Sequence, residues 1–505
     1  ETDRGEGHAH AAPQPASQAI TGEHRHTAAE TGDLMSDQVL AIDQGTHSTR
    51  AILFDNEGKV ICSARQSIGI NRLSGSEVEQ SPDEILQSVQ GVVSSVLDDP
   101  ASRRGDIRCA GLATQRSSVL AWEHETGSPL SPVLSWQDRR AATFLATLGE
   151  HAKDIRRLTG LHLSPHYGAG KMHWLMNNNP AVAAAHSDGT LTLGPLASFL
   201  LRHLTDTGLD LVDDANASRT LLWNLARRDW DSMLLEYFGI PPASLPECRP
   251  IRSAFGNLIN EAIPVTAVNG DQTAALYSQG RPATDTLYIN IGTGAFALLP
   301  VNDPGSRPDE LLAGISSSDH TTSDYYVEGT VNSAAAALKW TAERYRLTNI
   351  EPSLPTWLDS ITAPTLFINT LGGLGSPWWK EGPAPYFLDD EIPGEEAMVA
   401  TVESILFLIQ ANLEQLVPLN PALRNIQISG GLANLDAVCQ RLANLTGLVI
   451  YRPVQVEATA RGIAWLAAGC PASWRPSGSG VTFTPVDDPG VRSRYVKFLD
   501  IVSKI

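Results

Sequence analysis

Two stretches, far apart in the chain, share a pattern that restricts the fold more than any other feature. In VLAIDQGTHSTRAILFD (residues 39–55) an apolar run ends at Asp43, passes through a short polar turn and resumes after Arg50. Apolar runs of this length, bounded by turn residues, read as paired strands. TLYINIGTGAFALL (residues 286–299) repeats strand, glycine turn and strand, and its Gly292 lies 247 residues after Gly45. A unit recurring at this spacing in a chain of 505 residues implies an internal duplication, each copy building its own core.

Strands and helices alternate around both units, which indicates α/β domains with mixed sheets. Ser81-Pro82-Asp83-Glu84 starts a helix through Leu97, with Ser81 as N-cap, Pro82 in the first turn and two acids at the positive end of the dipole. Strands follow at 109–114 and 119–122. Prolines at 241, 242, 246, 250 and 264 place a domain boundary near residue 262, giving a first domain over 36–262 and a second over 263–480. The second holds helices at 332–344, 395–417, 435–445 and 458–468 and a strand at 426–429. From Pro471 the chain reads as a loosely attached end, with 481–505 as a C-terminal extension. Residues 1–34 lack any apolar period and read as a disordered leader ahead of Met35; His8, His10, His24 and His26 within it read as a solvated tail.

The first turn carries chemistry suited to a phosphate. Gly45 permits close backbone approach, Thr46, Ser48 and Thr49 add hydroxyls, and Arg50 supplies positive charge. Asp43, at a strand end, is placed to face an accompanying Mg²⁺, since hard cations prefer carboxylate oxygen. An ordinary hairpin with an acidic lip is the alternative. Gln115-Arg116-Ser117-Ser118 follows a strand, where ligands of open α/β sheets bind. Trp136-Gln137-Asp138-Arg139-Arg140 offers an aromatic face, a carboxylate and two guanidinium groups for a polyhydroxylated molecule, or else a strand end with surface charges. Residues 213–220, DDANASRT, read as loop architecture near a cleft. Asp271 opens a helix after the strand 265–269, and Gly430-Gly431 sits at a strand-to-helix junction, a geometry that suits a nucleotide.

Composition removes other classes. With 37 Lys+Arg against 56 Asp+Glu the formal charge is −19, and no basic run offers a track for nucleic acid or an anionic membrane. The five cysteines are widely spaced without a CxxC pair, which argues against a zinc site and a disulfide framework and fits a reducing cytoplasm. No apolar run approaches the roughly 18 residues needed to span a bilayer.

AIDQGTHSTRAILFD, TQRSSVLAWEHETGSPLSPVLSWQDRR, DDANASRTLLWNL, GDQTAALY, NIGTGAF, GGLGSPWW and SGGLAN together resemble the FGGY family of carbohydrate kinases, most closely its glycerol kinase branch. They keep family order and spacing from about residue 37 to 470. The resemblance implies two actin-like (ribonuclease H-like) α/β domains with an ATP and substrate cleft between them, and ATP-dependent phosphorylation of a hydroxyl on a small polyol or sugar. It implies Asp271 as catalytic base, Asp43 as the Mg²⁺ ligand, and Thr46, Ser48, Arg50, Gly292, Thr293, Gly431 and Leu432 on the nucleotide. Arg116, Ser117, His166, Asp271, Gln272 and Phe296 match substrate-pocket positions.

Departures bear on specificity. Ser117 stands where glycerol kinases carry a carboxylate after the pocket arginine, and His166 stands at the pocket tyrosine, with Tyr167 beside it. A site that loses a carboxylate for a small triol should hold that triol poorly, so glycerol is a weak fit. Asp138 in WQDRR matches the pentulose kinases, whose histidine motif TQRSS lacks. Lys339 and Leu435 replace nucleotide-contacting residues of glycerol kinase. The alternative from another class is a non-catalytic nucleotide and carbohydrate sensor on the same fold. Homo-oligomerisation stays open.

Overall fold

The computed structural model describes residues 37–73, 75–454, 457–474 and 479–505; the leader and its four histidines lie outside the described residues. Alternation along β1 (Gln38–Gln44) explains why its apolar run is continuous. Val39 and Ala41 face one core while Leu40 and Ile42 face another, so both sides are covered. β1 pairs antiparallel with β2 (Ser48–Phe54), with Asp43 opposite Arg50, and β3 (Val60–Ser67) extends the meander. Helix α1 (Pro82–Leu97) packs beneath them through Ile85, Val89, Val92 and Val96. Its Glu84 amide donates to Ser81 Oγ at 3.2 Å, the expected cap.

β4 (Ile107–Thr114) runs parallel to β1, and β5 (Val265–Gly270) runs parallel to β4, completing the order β5-β4-β1-β2-β3. This moves the expected boundary. The prolines before residue 264 punctuate a connection within the first sheet's own chain, and the Pro264 carbonyl accepts from Ala110 of β4 at 2.8 Å. Helix α2 (Asp271–Ala275) therefore starts from the same sheet as Asp43, not from the opposite domain. The strand at 119–123 leaves this sheet and joins a separate one with 71–72, 78–80, 133–134 and 191–195.

The second sheet comprises β6 (Thr286–Ile291), β7 (Ala295–Val301), β8 (Leu312–Ser318), β9 (Ser323–Val331), β10 (Asn425–Ser429), β11 (Val449–Arg452) and β12 (Val481–Phe483), in the order β8-β9-β7-β6-β10-β11-β12. β6 forms a hairpin with β7, β9 follows antiparallel, and β10 and β11 lie parallel on its other side. Those are the relations of β1 to β2, β3, β4 and β5, so the duplication read from the turns extends through five strands. Helix α3 (Ala335–Tyr345) adjoins α4 (Gly394–Leu416), which is the core helix of this half. With the turn after it, α4 is long and apolar enough to cross a bilayer, contrary to expectation, but it is buried inside the fold. Helix α5 (Asp436–Thr446) covers the same core.

Helix α6 (Ala458–Ala467) returns to the first sheet and packs on β1 and β4. Gly462 permits this, since a Cβ there would stand 1.8 Å from the Ala274 carbonyl oxygen of α2. The end of the chain is not loose. β12 pairs with β11, and α7 (Pro489–Val502) inserts Val491, Tyr495, Phe498 and Val502 into the second core. Its Arg494 shares the buried Glu403 carboxylate with Arg441 at 2.6 and 2.7 Å. The spacing 491, 495, 498, 502 is a helical stripe that the Pro- and Ser-rich stretch before it obscured. Phe498→Ala is expected to destabilise the chain by about 3–5 kcal/mol. Thermal melting checks this, and an unchanged midpoint would return the segment to a loose extension.

Candidate active site

Because β1, β4 and β5 run parallel, their carboxyl ends share one edge, where open α/β sheets bind ligands. That edge presents Asp43, then Gln115 and Arg116, then Asp271. Asp271 is the first residue of α2, and its Oδ1 accepts from the Gln272 amide at 2.7 Å. Arg116 Nε lies 3.8 Å from the same oxygen. Arg116 also donates to Gln272 Oε1 at 2.9 Å and to the Tyr326 hydroxyl at 3.1 Å. Gly270 makes room for this guanidinium arm, because a Cβ there would meet Arg116 Cγ and Cδ at 2.4 Å. Burial raises the Asp271 carboxyl above the usual carboxylate range, with Arg116 opposing.

The second sheet reaches the same place through β9. Arg219 donates to the Tyr326 hydroxyl and to Glu328 Oε2, the latter at 2.7 Å. Residues 213–220 are thus more than loop architecture. Asp213 caps the short helix Asp214–Ser218, which delivers Arg219 beside Tyr326. Reading the sequence alone missed Arg219, Tyr326 and Glu328. The available signal was an arginine bordering the apolar Leu221-Leu222-Trp223, which calls for an acidic partner.

Beyond Arg116 the chain turns at Ser117, whose φ is +64° and whose buried Oγ has no hydrogen-bond partner among the described residues. His166 is half-buried with its ring 5.5 Å from Trp136 and 5.0 Å from Tyr167. Burial first, then Lys171, Arg219, Arg116 and Arg139, hold its pKa well below the usual imidazole range, so it is neutral. Trp136 Nε1 donates to Thr46 Oγ1 at 2.9 Å, joining this pocket to the first turn. The rest of WQDRR is structural: buried Asp138 accepts from the Val78 amide at 2.7 Å and from Arg140, which also pairs with Glu79 at 2.8 Å, and Arg139 is exposed. Phe296, half-buried on β7, lies between Asn290 and Thr330 in register.

The first turn is closed by the Gly45 amide donating to Ser48 O at 3.0 Å. Thr49 points away from it, its hydroxyl 2.6 Å from Ser88 of α1, which corrects its expected place at the phosphate. Arg50 pairs with Glu457 and lies 3.9 Å from Asp43. The second turn repeats the closure, with the Gly292 amide on Gly294 O at 2.8 Å and exposed Thr293 at its tip. Gly430, at φ +97°, lies against Ile291, where a Cβ would stand 2.3 Å from the carbonyl oxygen. Gly431, beside it, faces open space. Gly292 and Gly431 thereby share the carboxyl edge of parallel β6 and β10. The Leu432 side chain is buried in the second core, which limits its expected nucleotide contact to the main chain.

Family models agree with this layout. The N-terminal domain model of the FGGY family of carbohydrate kinases matches residues 38–277, and the C-terminal domain model matches 287–469. The chain belongs to the FGGY family of carbohydrate kinases. As an FGGY kinase it is an ATP-dependent enzyme that phosphorylates a hydroxyl of a sugar or polyol, and the sensor reading falls away. The glycerol kinase of Rhizobium meliloti (strain 1021) is 32% identical over 456 residues, 87% of this chain and 91% of the relative. That of Halothermothrix orenii is 30% identical over 442 residues, 85% and 89%. The fold is that of Plasmodium falciparum glycerol kinase with ADP, at TM-score 0.83 and 22% identity over 93% of this chain and 98% of that one. Xylulose kinase from Lactobacillus acidophilus superposes at TM-score 0.79 and 19% identity, over 93% and 97%. This FGGY kinase therefore has two actin-like (ribonuclease H-like) domains.

Proposed function

We propose that this FGGY kinase transfers the γ-phosphoryl group of ATP to a polyol or ketose longer than glycerol, with Asp271 accepting the acceptor hydroxyl's proton. The observation that carries the reading is Asp271 itself: a carboxylate raised by burial, 30% exposed, at the strand edge it shares with Asp43 and Arg116. A carboxylate whose pKa is raised above its ordinary value is a stronger proton acceptor than an unperturbed one. Arg116 and Gln272 hold acceptor hydroxyls, and Phe296 and Trp136 supply apolar walls. Thr46, Ser48, Arg50, Gly292 and Thr293 hold phosphate oxygens, and Gly431 leaves room for the nucleoside.

Asp43 fits Mg²⁺. Its carboxyl is pushed up to about 7 by burial, then by the charge of Asp271, with Arg50 opposing and Glu457 adding. A cation would relieve that repulsion. Mg²⁺, when bound, neutralises phosphate oxygens. Closure of the two domains on bound ligands would exclude water that competes as acceptor. The five cysteines are free thiols, in keeping with a reducing compartment such as the cytoplasm.

Ser117 carries the acceptor choice. Its unpartnered buried hydroxyl offers a longer acceptor one more hydrogen bond, and it is no substitute for a carboxylate on a triol. A coupled ADP-release assay with glycerol, tetritols, pentitols and ketopentoses tests this. The expected result is a kcat/KM for glycerol at least about tenfold below the best longer acceptor, a discrimination within reach of one buried hydrogen bond. Glycerol as the preferred acceptor would overturn it.

A further inference from the structure

Lys171 is a fully buried lysine that no step above uses. It lies in the helix Gly168–Asn178, whose first turn, Gly168-Ala169-Gly170, packs tightly: a Cβ on Gly168 would stand 2.9 Å from Val119 and one on Gly170 3.0 Å from Ala141. The close approach lets the lysine run inward. Its ammonium donates to three main-chain carbonyls: Ser117 at 2.7 Å, Ser135 at 3.0 Å and His166 at 2.9 Å. These belong to three separate segments. Each carries or immediately precedes a side chain at the acceptor pocket, namely Ser117 itself, Trp136 and His166.

We propose that Lys171 is a positioning residue for the acceptor, its ammonium tying together the three segments that hold Ser117, Trp136 and His166. This rests on the reading of those side chains as the acceptor pocket. Three acceptors require three donors, and only the charged ammonium has three N–H groups. On losing a proton the amine must release one carbonyl, and one wall of the pocket loosens. Burial draws the Lys171 pKa down to about 7, Asp138 opposing and Arg140 assisting. Facing the ammonium are Asp138 and Arg140 from the Trp136 segment and His166 from the turn before the helix, and His166 in turn faces Arg116, Arg139 and Arg219. Of these, His166 is already neutral, and the arginines keep their charge across the neutral range. A KM trend that disappears when position 171 keeps its charge as arginine therefore belongs to Lys171 and not to Asp43 or Asp271, whose carboxyls are also raised.

The test uses the full chain with the best acceptor from the panel at saturating ATP. In the unaltered enzyme acceptor KM is expected to rise severalfold from pH 6.5 to 8.5. Lys171→Met should raise acceptor KM at least tenfold at pH 6.5, change kcat less than KM, leave protection by ADP against thermal unfolding intact, and abolish the pH trend. Lys171→Arg, charged throughout, should also give a flat profile. A merely structural lysine would lower the melting temperature without this KM-against-kcat split. An unchanged acceptor KM in Lys171→Met, or a pH trend that persists in Lys171→Arg, would overturn the proposal. If Lys171→Met does not fold, a flat profile in the unaltered enzyme overturns it as well. Failure of every acceptor in the panel would instead refute the pocket reading.

Discussion

Asp271→Asn is expected to lower kcat by roughly 10²- to 10⁴-fold, the range supplied by a positioned general base. Asparagine keeps the shape and still accepts the Gln272 amide, so the local turn at the start of α2 is kept. What is lost is the basic oxygen. Phosphoryl transfer asks the protein mainly for alignment and charge neutralisation, which explains why some turnover should survive. Protection by ADP against thermal unfolding should be unchanged, because among the described residues the phosphate turns at Gly45 and Gly292 share no hydrogen bond with this side chain. Acceptor KM should move little, since Arg116 keeps its bond to Gln272. A variant retaining a tenth of the parental kcat would remove Asp271 from the role of base.

The parts of the fold that could be read from the chain are those written in short windows. The two glycine turns, the Ser81 cap, the helix opened by Asp271 and the long helix α4 each depend on residues within a few positions of one another. What escaped depends on distant pairing. β5 joins the first sheet through register with β4, about 155 residues earlier, and no local feature of VTAVNG announces that neighbour. The proline cluster before it looked like a boundary because prolines mark irregular chain, and irregular chain occurs within domains too. Asp271 was accordingly placed across the cleft from Asp43, whereas both project from one parallel edge.

The site divides in the same manner. Asp43, Arg116 and Asp271 sit at strand ends, so type and position in the sequence pointed to them. Arg219, Tyr326 and Glu328 form a cluster spanning more than 100 residues, and none is suspicious in its own window. Asp138 erred in the other direction. A carboxylate beside two arginines and a tryptophan looks like a ligand grip, but its charge is consumed by Arg140 and the Val78 amide. Charge in a motif identifies function only when no neighbour neutralises it.

Asp43→Asn should move stability and activity in opposite directions. The folded-state carboxyl sits at about 7 against 3.8 for an unperturbed aspartate, and its side chain is only 12% exposed. Below pH 3.8 both folded and unfolded chains hold the proton, and burial costs little. Between 3.8 and 7 the unfolded chain loses it while the folded chain keeps it, so stability falls as pH rises and levels off above 7. Removing the charge should therefore raise stability at pH 8 in buffer containing EDTA by up to about 4 kcal/mol, the whole of the shift. Most of that gain should vanish by pH 4.5. Activity should fall, and its dependence on Mg²⁺ should move to higher concentration, because the buried carboxylate charge that costs stability is what a cation would neutralise. Melting curves at the two pH values and a magnesium titration of kcat check both halves. An asparagine variant that is less stable at pH 8 and titrates with magnesium like its parent would make Asp43 a structural residue of β1.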